Sequence, residues 1–145
     1  MTQPPLLTLV LGAGKGTRMR SDMPKVMHAV AGRSMLGHVL ATASSIGSQK
    51  TVVVVGPAMD AVAVEARRHD PSVAISVQEQ QHGTADAVLA ARAHLASHRG
   101  DVLVLFADTP LITSETLQRL RGALDVGSAV AVLGFTPDDP TGYGR

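Results

Sequence analysis

The strongest constraint on this chain is an alternation along it. Short, continuous apolar runs at 6–11, 51–55, 73–77, 102–106 and 128–135 are separated by segments whose apolar residues recur at helical spacing. Runs that are apolar throughout, rather than at every second residue, read as strands buried on both faces. The intervening segments carry Met35, Val39, Leu40 and Ala43; Val62, Ala63 and Ala66; Val88, Leu89, Ala91 and Leu95; and Leu117, Leu120, Arg121 and Leu124. Strand and helix take turns, which predicts a parallel α/β sheet with right-handed crossovers. Asp60, Thr84 and Ser114 are suitable N-caps for the helices, and Gly47 and Gly122 suitable stops.

Composition removes several function classes. Two Phe, one Tyr and no Trp leave almost no stacking surface for single-stranded nucleic acid, and a formal charge of +1 gives no overall field to attract nucleic acid or an anionic membrane. The absence of cysteine excludes disulfide frameworks, thiolate metal sites and thiol nucleophiles, and fits a reducing compartment. No apolar run approaches the roughly 18 residues of a membrane span, so the expectation is a soluble cytoplasmic protein. No repeat or linker marks an internal boundary in the 145 residues, and the turn-rich end at 140–145 reads as leading into a further element.

In sheets of this kind ligands bind beyond the carboxyl ends of the strands. After the first run comes Leu11-Gly12-Ala13-Gly14-Lys15-Gly16-Thr17-Arg18-Met19-Arg20, then Ser21-Asp22-Met23-Pro24-Lys25-Val26-Met27-His28. The glycines let backbone N–H groups approach an anion, and Lys15, Arg18, Arg20 and Lys25 concentrate positive charge, a combination suited to polyphosphate. The order is neither that of a Walker A loop nor that of the dinucleotide fingerprint. The competing reading is a surface turn with solvated cations.

Two later junctions add chemistry. Gln78-Glu79-Gln80-Gln81-His82-Gly83-Thr84-Ala85-Asp86 offers amides able to read a base edge, although polar loops before helices are common. Phe106-Ala107-Asp108-Thr109-Pro110 sets a carboxylate directly after a buried run, where it either ends the strand or binds a metal facing the cationic loop. His94 and His98 stand at a metal-compatible spacing on an expected helix but lack a third ligand, so they read as solvent-facing. Gly142 by itself is a turn residue.

Gly-Ala-Gly-Lys-Gly-Thr-Arg-Met at 12–19, Ser-Asp-Met-Pro-Lys-Val-Met-His at 21–28 and Ala31-Gly32-Arg33-Ser34-Met35-Leu36 resemble the sugar-phosphate nucleotidyltransferases. The nearest likeness is to the N-acetylglucosamine-1-phosphate uridyltransferase half of bifunctional bacterial enzymes, and it spans essentially the whole chain. It implies a Rossmann-like three-layer sandwich of the nucleotide-diphospho-sugar transferase type, with residues 1–145 as the nucleotide-binding part of a domain truncated at its C-terminal end. It further implies transfer of UMP from UTP to N-acetylglucosamine 1-phosphate with release of pyrophosphate, in the service of cell-wall precursor synthesis.

The same resemblance implies Arg18 and Lys25 as the catalytic cations on the phosphates, and Asp108 as the ligand of Mg²⁺. The nucleotide would be held by Leu11, Gly12, Ala13, Gly14, Gly16, Thr17, Lys25, Gln78, Gly83, Thr84, Phe106, Ala107 and Asp108, and the sugar would meet Gly142. Gly12, Asp86 and Ala107 depart from the usual Ala, His and Gly of that family. A second metal ligand, a left-handed β-helix acetyltransferase domain and the homotrimer it builds would lie beyond Arg145. The rival readings are a GTP- or CTP-using transferase and a nucleotide-binding module without catalysis.

Overall fold

The computed structural model describes residues 3–14, 16 and 19–142. In chain order the elements are β1 (Leu6–Leu11), a 3-10 turn (Lys25–Met27), β2 (Ala29–Val30), β3 (Arg33–Ser34), α1 (Met35–Ser45), β4 (Lys50–Val55), α2 (Asp60–His69), β5 (Ala74–Val77), α3 (Thr84–Ala90), α4 (Arg92–Leu95), β6 (Asp101–Phe106) and α5 (Ser114–Gly122). The main sheet has the order β5-β4-β1-β6 and every pairing in it is parallel. The chain builds outward from β1 through β4 to β5, then crosses back to place β6 on the other side of β1. That reversal between β1 and β6 is the place where an open α/β sheet leaves a crevice.

Alternation along the strands divides the core into two faces. Leu7 and Leu9 of β1 with Val52 and Val54 of β4 pack against Ala87 and Ala91 from the α3–α4 region. On the opposite face Leu6, Val10 and Val53 are buried, as are Leu36, Val39 and Ala43 of α1 and Val62 and Ala66 of α2. Full burial of each such Leu or Val contributes about 1.5–3 kcal/mol. Helices thus cover both sides of the sheet.

Local chemistry accounts for the helix ends. Ser34 caps α1, its Oγ accepting from Gly37 N at 3.0 Å. The helix closes with Gly47 N donating to Ser44 O and Ser48 N to Ala43 O, the paired bonds of a Schellman stop, with Gly47 at φ 78. The expected caps are each displaced by one position: Met59 and Gly83 precede α2 and α3, whose first residues are Asp60 and Thr84, and Ser114 is the first residue of α5. Asp60 still opposes the positive end of α2, whose last turn carries Arg67, Arg68 and His69.

Other expectations give way. The helical segment at 88–95 is broken at Ala91, and α4 ends at Leu95, so His94 and His98 do not share a helix face. His98 Nε2 instead lies 3.0 Å from Asp101 O. Burial on both faces holds for β1 and most of β4 but not for β6, where Val102, Val104 and Phe106 are exposed. The β2–β3 hairpin, turned by Ala31 at φ 49 and Gly32 at φ 80, carries too few residues to leave a periodic signal.

The chain divides into two compact units, Met1–Ser114 and Glu115–Arg145. In the second unit the expected strand at 128–135 does not form, and Val130, Val132, Leu133 and Phe135 are exposed. Apolar side chains favour a strand, but a strand exists only where another edge takes up its backbone groups. Among the described residues no helix is long and apolar enough to cross a membrane.

Candidate functional site

A cavity of about 690 Å³ lies at the carboxyl ends of the strands, bordered by Leu11 at the end of β1 and Phe106 at the end of β6. Its floor is the glycine-rich loop. Gly12 N donates to Val54 O at 2.8 Å, which continues the β1–β4 ladder by one residue before the loop departs. Gly16 then turns at φ 58, and a Cβ there would stand 2.7 Å from Lys25 Cβ. Only glycine meets both demands, so Gly16 lets the loop fold directly against Lys25.

Lys25 closes one wall. Its Nζ donates to Asp108 Oδ2 at 2.7 Å across 83 positions of sequence. The two side chains are 38% and 36% exposed, so the pair faces the cavity rather than the core. Pro24 ends the preceding segment in an extended conformation, and the 3-10 turn that follows buries Val26 beneath Lys25. Asp108 follows Ala107, whose N donates to Leu11 O at 3.0 Å and ties the β6 end to β1.

The opposite wall is built of amides. Gln78 is 4% exposed, and its backbone N donates to Val55 O at 2.8 Å. Its Nε2 donates to Gly83 O at 3.1 Å and to Asp86 Oδ2 at 2.8 Å. Gln81 Nε2 donates to Ala13 O, which joins this loop to the glycine-rich one. Gly56 makes room for that bond: a Cβ there would come within 2.7 Å of Gln81 Nε2.

Of the residues expected at the site, Leu11, Gly12, Ala13, Gly14, Gly16, Lys25, Gln78, Gly83, Thr84, Phe106 and Asp108 line this cavity. Ala107 does not; it is fully buried in the turn that follows β6, where a Cβ on Gly12 would stand 3.6 Å from its own. Thr17 and Arg18, like Lys15, lie outside the described residues. Gly142 turns at φ 83 within the second unit and is not among the lining residues. Met19, Val26, Gln81 and Ala87 also line the cavity. Of these, Gln81 could have been singled out, since it stands in the amide-rich loop; the apolar three give no sequence signal apart from ordinary core residues.

Asp108 is the one acid among the described lining residues, and no group of three or more His, Asp or Glu side chains among the described residues converges to hold a metal. A single carboxylate facing a cavity fits a hard cation that completes its shell with phosphate oxygens and water. It does not fit a cation held by protein ligands alone.

A family profile described as MobA-like NTP transferase domain matches residues 8–143, nearly the whole chain. The chain belongs to that family. It is 59% identical over 145 residues to "Bifunctional protein GlmU" of Bradyrhizobium sp. (strain ORS 278), and 57% identical over 145 residues to the protein of the same name in Azorhizobium caulinodans. Each match takes in 100% of this chain and 32% of the relative, so the chain spans about a third of the length of the curated relatives it matches.

Solved structures agree on the fold of this MobA-like domain. Rv0371c from Mycobacterium tuberculosis superposes with a TM-score of 0.65 at 24% identity, covering 88% of this chain and 62% of that one. Its complex with manganese gives 0.61 at 23% identity, covering 85% and 59%. A 4-diphosphocytidyl-2C-methyl-D-erythritol synthase gives 0.64 at 22% identity, covering 88% and 56%.

Proposed function

We propose that this MobA-like domain is the nucleotide-binding part of a uridylyltransferase that moves UMP from UTP to N-acetylglucosamine 1-phosphate and releases pyrophosphate. The observation that carries the reading is the convergence of Lys25 and Asp108 on the glycine-rich loop, opposite the buried amide of Gln78, in one cavity. The triphosphate lies along the Gly12–Gly16 backbone and the base reaches the Gln78–Thr84 wall. The sequence resemblance and the high identity to the GlmU relatives support the sugar-phosphate acceptor.

The attacking group is already an ionised phosphate oxygen, so no general base and no covalent enzyme intermediate is needed. Catalysis then consists of positioning and charge stabilisation. Lys25 meets oxygens that gain charge as the α-phosphorus is attacked and pyrophosphate leaves, and Arg18 is assigned the same role from the resemblance of its sequence motif. Asp108 would hold Mg²⁺, which supplies Lewis-acid neutralisation of the phosphates when bound. A cytoplasmic setting, and trimerisation with acetyl transfer through a further domain, belong to the same proposal for the whole protein.

The test compares pyrophosphate release from UTP, GTP and CTP with N-acetylglucosamine 1-phosphate and Mg²⁺, alongside calorimetric binding of UTP. UTP is the expected substrate, and Lys25→Ala lowers turnover by about two orders of magnitude or more while the variant stays folded. Preference for GTP or CTP overturns the reading of the amide wall, and binding without turnover turns it into a nucleotide-binding module.

A further inference from the structure

The proposed base contact raises a question of polarity, because an amide side chain can present either a donor or an acceptor. Gln78 Nε2 lies 2.8 Å from Asp86 Oδ2 and 3.1 Å from Gly83 O. An ionised carboxylate and a backbone carbonyl are both acceptors only, so the amide atom between them is the nitrogen and the carbonyl Oε1 is turned away from them. Gln78 lines the cavity, and no donor among the described residues reaches its Oε1. With its backbone N bound to Val55 O at 2.8 Å, the side chain has little freedom to compensate by moving.

We infer that Asp86 is a positioning residue that holds the Gln78 amide with its acceptor facing the base, and that it thereby selects a pyrimidine whose facing edge offers an imide N–H. The inference rests on the reading of this wall as the base site. Uracil carries a donor at N3 and suits an acceptor from the protein; cytosine carries a lone pair at N3 and is repelled by one. Gly83 O alone would leave the amide held by one neutral hydrogen bond, whereas the Asp86 carboxylate adds a charge-assisted one. Asp86 Oδ2 also accepts from His82 N at 3.4 Å, so the same carboxylate ties down the backbone of the loop before α3.

The experiment measures binding of UTP, CTP and inorganic tripolyphosphate by calorimetry to the native chain and to Asp86→Ala, Asp86→Asn, Gln78→Ala and the Asp86→Ala/Gln78→Ala double variant. Asp86→Ala is expected to weaken UTP about tenfold and to shrink the UTP-over-CTP preference by a similar factor, with tripolyphosphate unchanged. Asp86→Asn, which keeps an acceptor, recovers most of both. The double variant matches Gln78→Ala, because Asp86 acts through that side chain. Equal weakening of UTP and tripolyphosphate by Asp86→Ala, or an unchanged UTP-to-CTP ratio, overturns the inference while leaving the base site intact. Unchanged UTP binding in Gln78→Ala overturns the base site itself.

Discussion

Replacement of Lys25 by Met tests whether the ion pair in the cavity is a competitor for the metal. Nζ of Lys25 and Oδ2 of Asp108 are 2.7 Å apart, with both side chains a little over a third exposed. A pair exposed to that degree contributes about 0.5–1 kcal/mol, and a cation reaching Asp108 must give that up. If the ammonium stays near the bound cation, charges of +2 and +1 at about 4 Å repel by about 2 kcal/mol in a water-like dielectric; a lysine that swings into solvent escapes most of this. Lys25→Met keeps the length and the apolar stem and removes the charge. It should tighten Mn²⁺ binding to the nucleotide-free protein by about 0.5–2 kcal/mol, or roughly 2- to 30-fold. With UTP present the sign reverses, because the lost hydrogen bonds to phosphate cost about 1.5–3 kcal/mol. Titration of Mn²⁺ followed by electron paramagnetic resonance, with and without UTP, reads both arms. Unchanged or weaker Mn²⁺ binding in the nucleotide-free variant refutes the competition, and the same sign in both arms refutes the assignment of Lys25 to the phosphates.

Three further outcomes follow from packing and electrostatics. The hydrogen bond from Ser34 holds the Glu65 carboxyl below the usual glutamate range, helped by His69 and Arg68 and opposed by burial. A lowered native value stabilises the fold above the unfolded pKa of about 4.3 and is lost as pH falls through the native value. Glu65→Gln should therefore be less stable than the native chain by about 1 kcal/mol at pH 7, with the gap closing toward pH 3 in urea unfolding curves. A gap that stays constant with pH would show that the charge of Glu65 is not what matters. Gly12→Ala should raise the melting temperature by about 3 °C through its effect on the unfolded chain, since a Cβ there meets only Val54 O at 3.4 Å, Ala107 Cβ at 3.6 Å and Val62 Cγ1 at 3.9 Å. Gly100→Ala should instead cost about 2 kcal/mol or more, because its Cβ would fall 2.1 Å from Pro5 O, which already accepts from Asp101 N. Equal melting temperatures for these two glycine variants would contradict the packing after the end of β1, at Gly12, and before the start of β6, at Gly100.

The GlmU-like motifs and the fold class were both legible in the chain, for different reasons. Continuous apolar runs reported strands inside a parallel sheet, because burial on both faces leaves no polar alternation to see, and β1 and most of β4 are built that way. β6 carries the same pattern yet exposes Val102, Val104 and Phe106, and 128–135 carries it without forming a strand. Periodicity records which side chains favour burial; it does not record what covers them. The shifts at Asp60 and Thr84 are the ordinary uncertainty of a cap read without its backbone angles.

The glycines and cations of the first loop, the amides of the second and the carboxylate of the third were each visible from residue type and from their place after an apolar run. Composition and order alone thus determined a parallel α/β domain with glycines, cations, amides and a carboxylate after its strands, a set of groups suited to phosphate. Their meeting was decided by the tertiary structure. Parallel pairing of β1 with β6 brings Lys25 to Asp108 across 83 residues, and pairing of β1 with β4 and of β4 with β5 brings Gln81 to Ala13 across 68, distances over which the sequence holds no local signal. The polarity of Gln78 is the sharpest case. The sequence does not orient an amide, and only the acceptors that surround it in the folded chain fix which of its two atoms is the nitrogen.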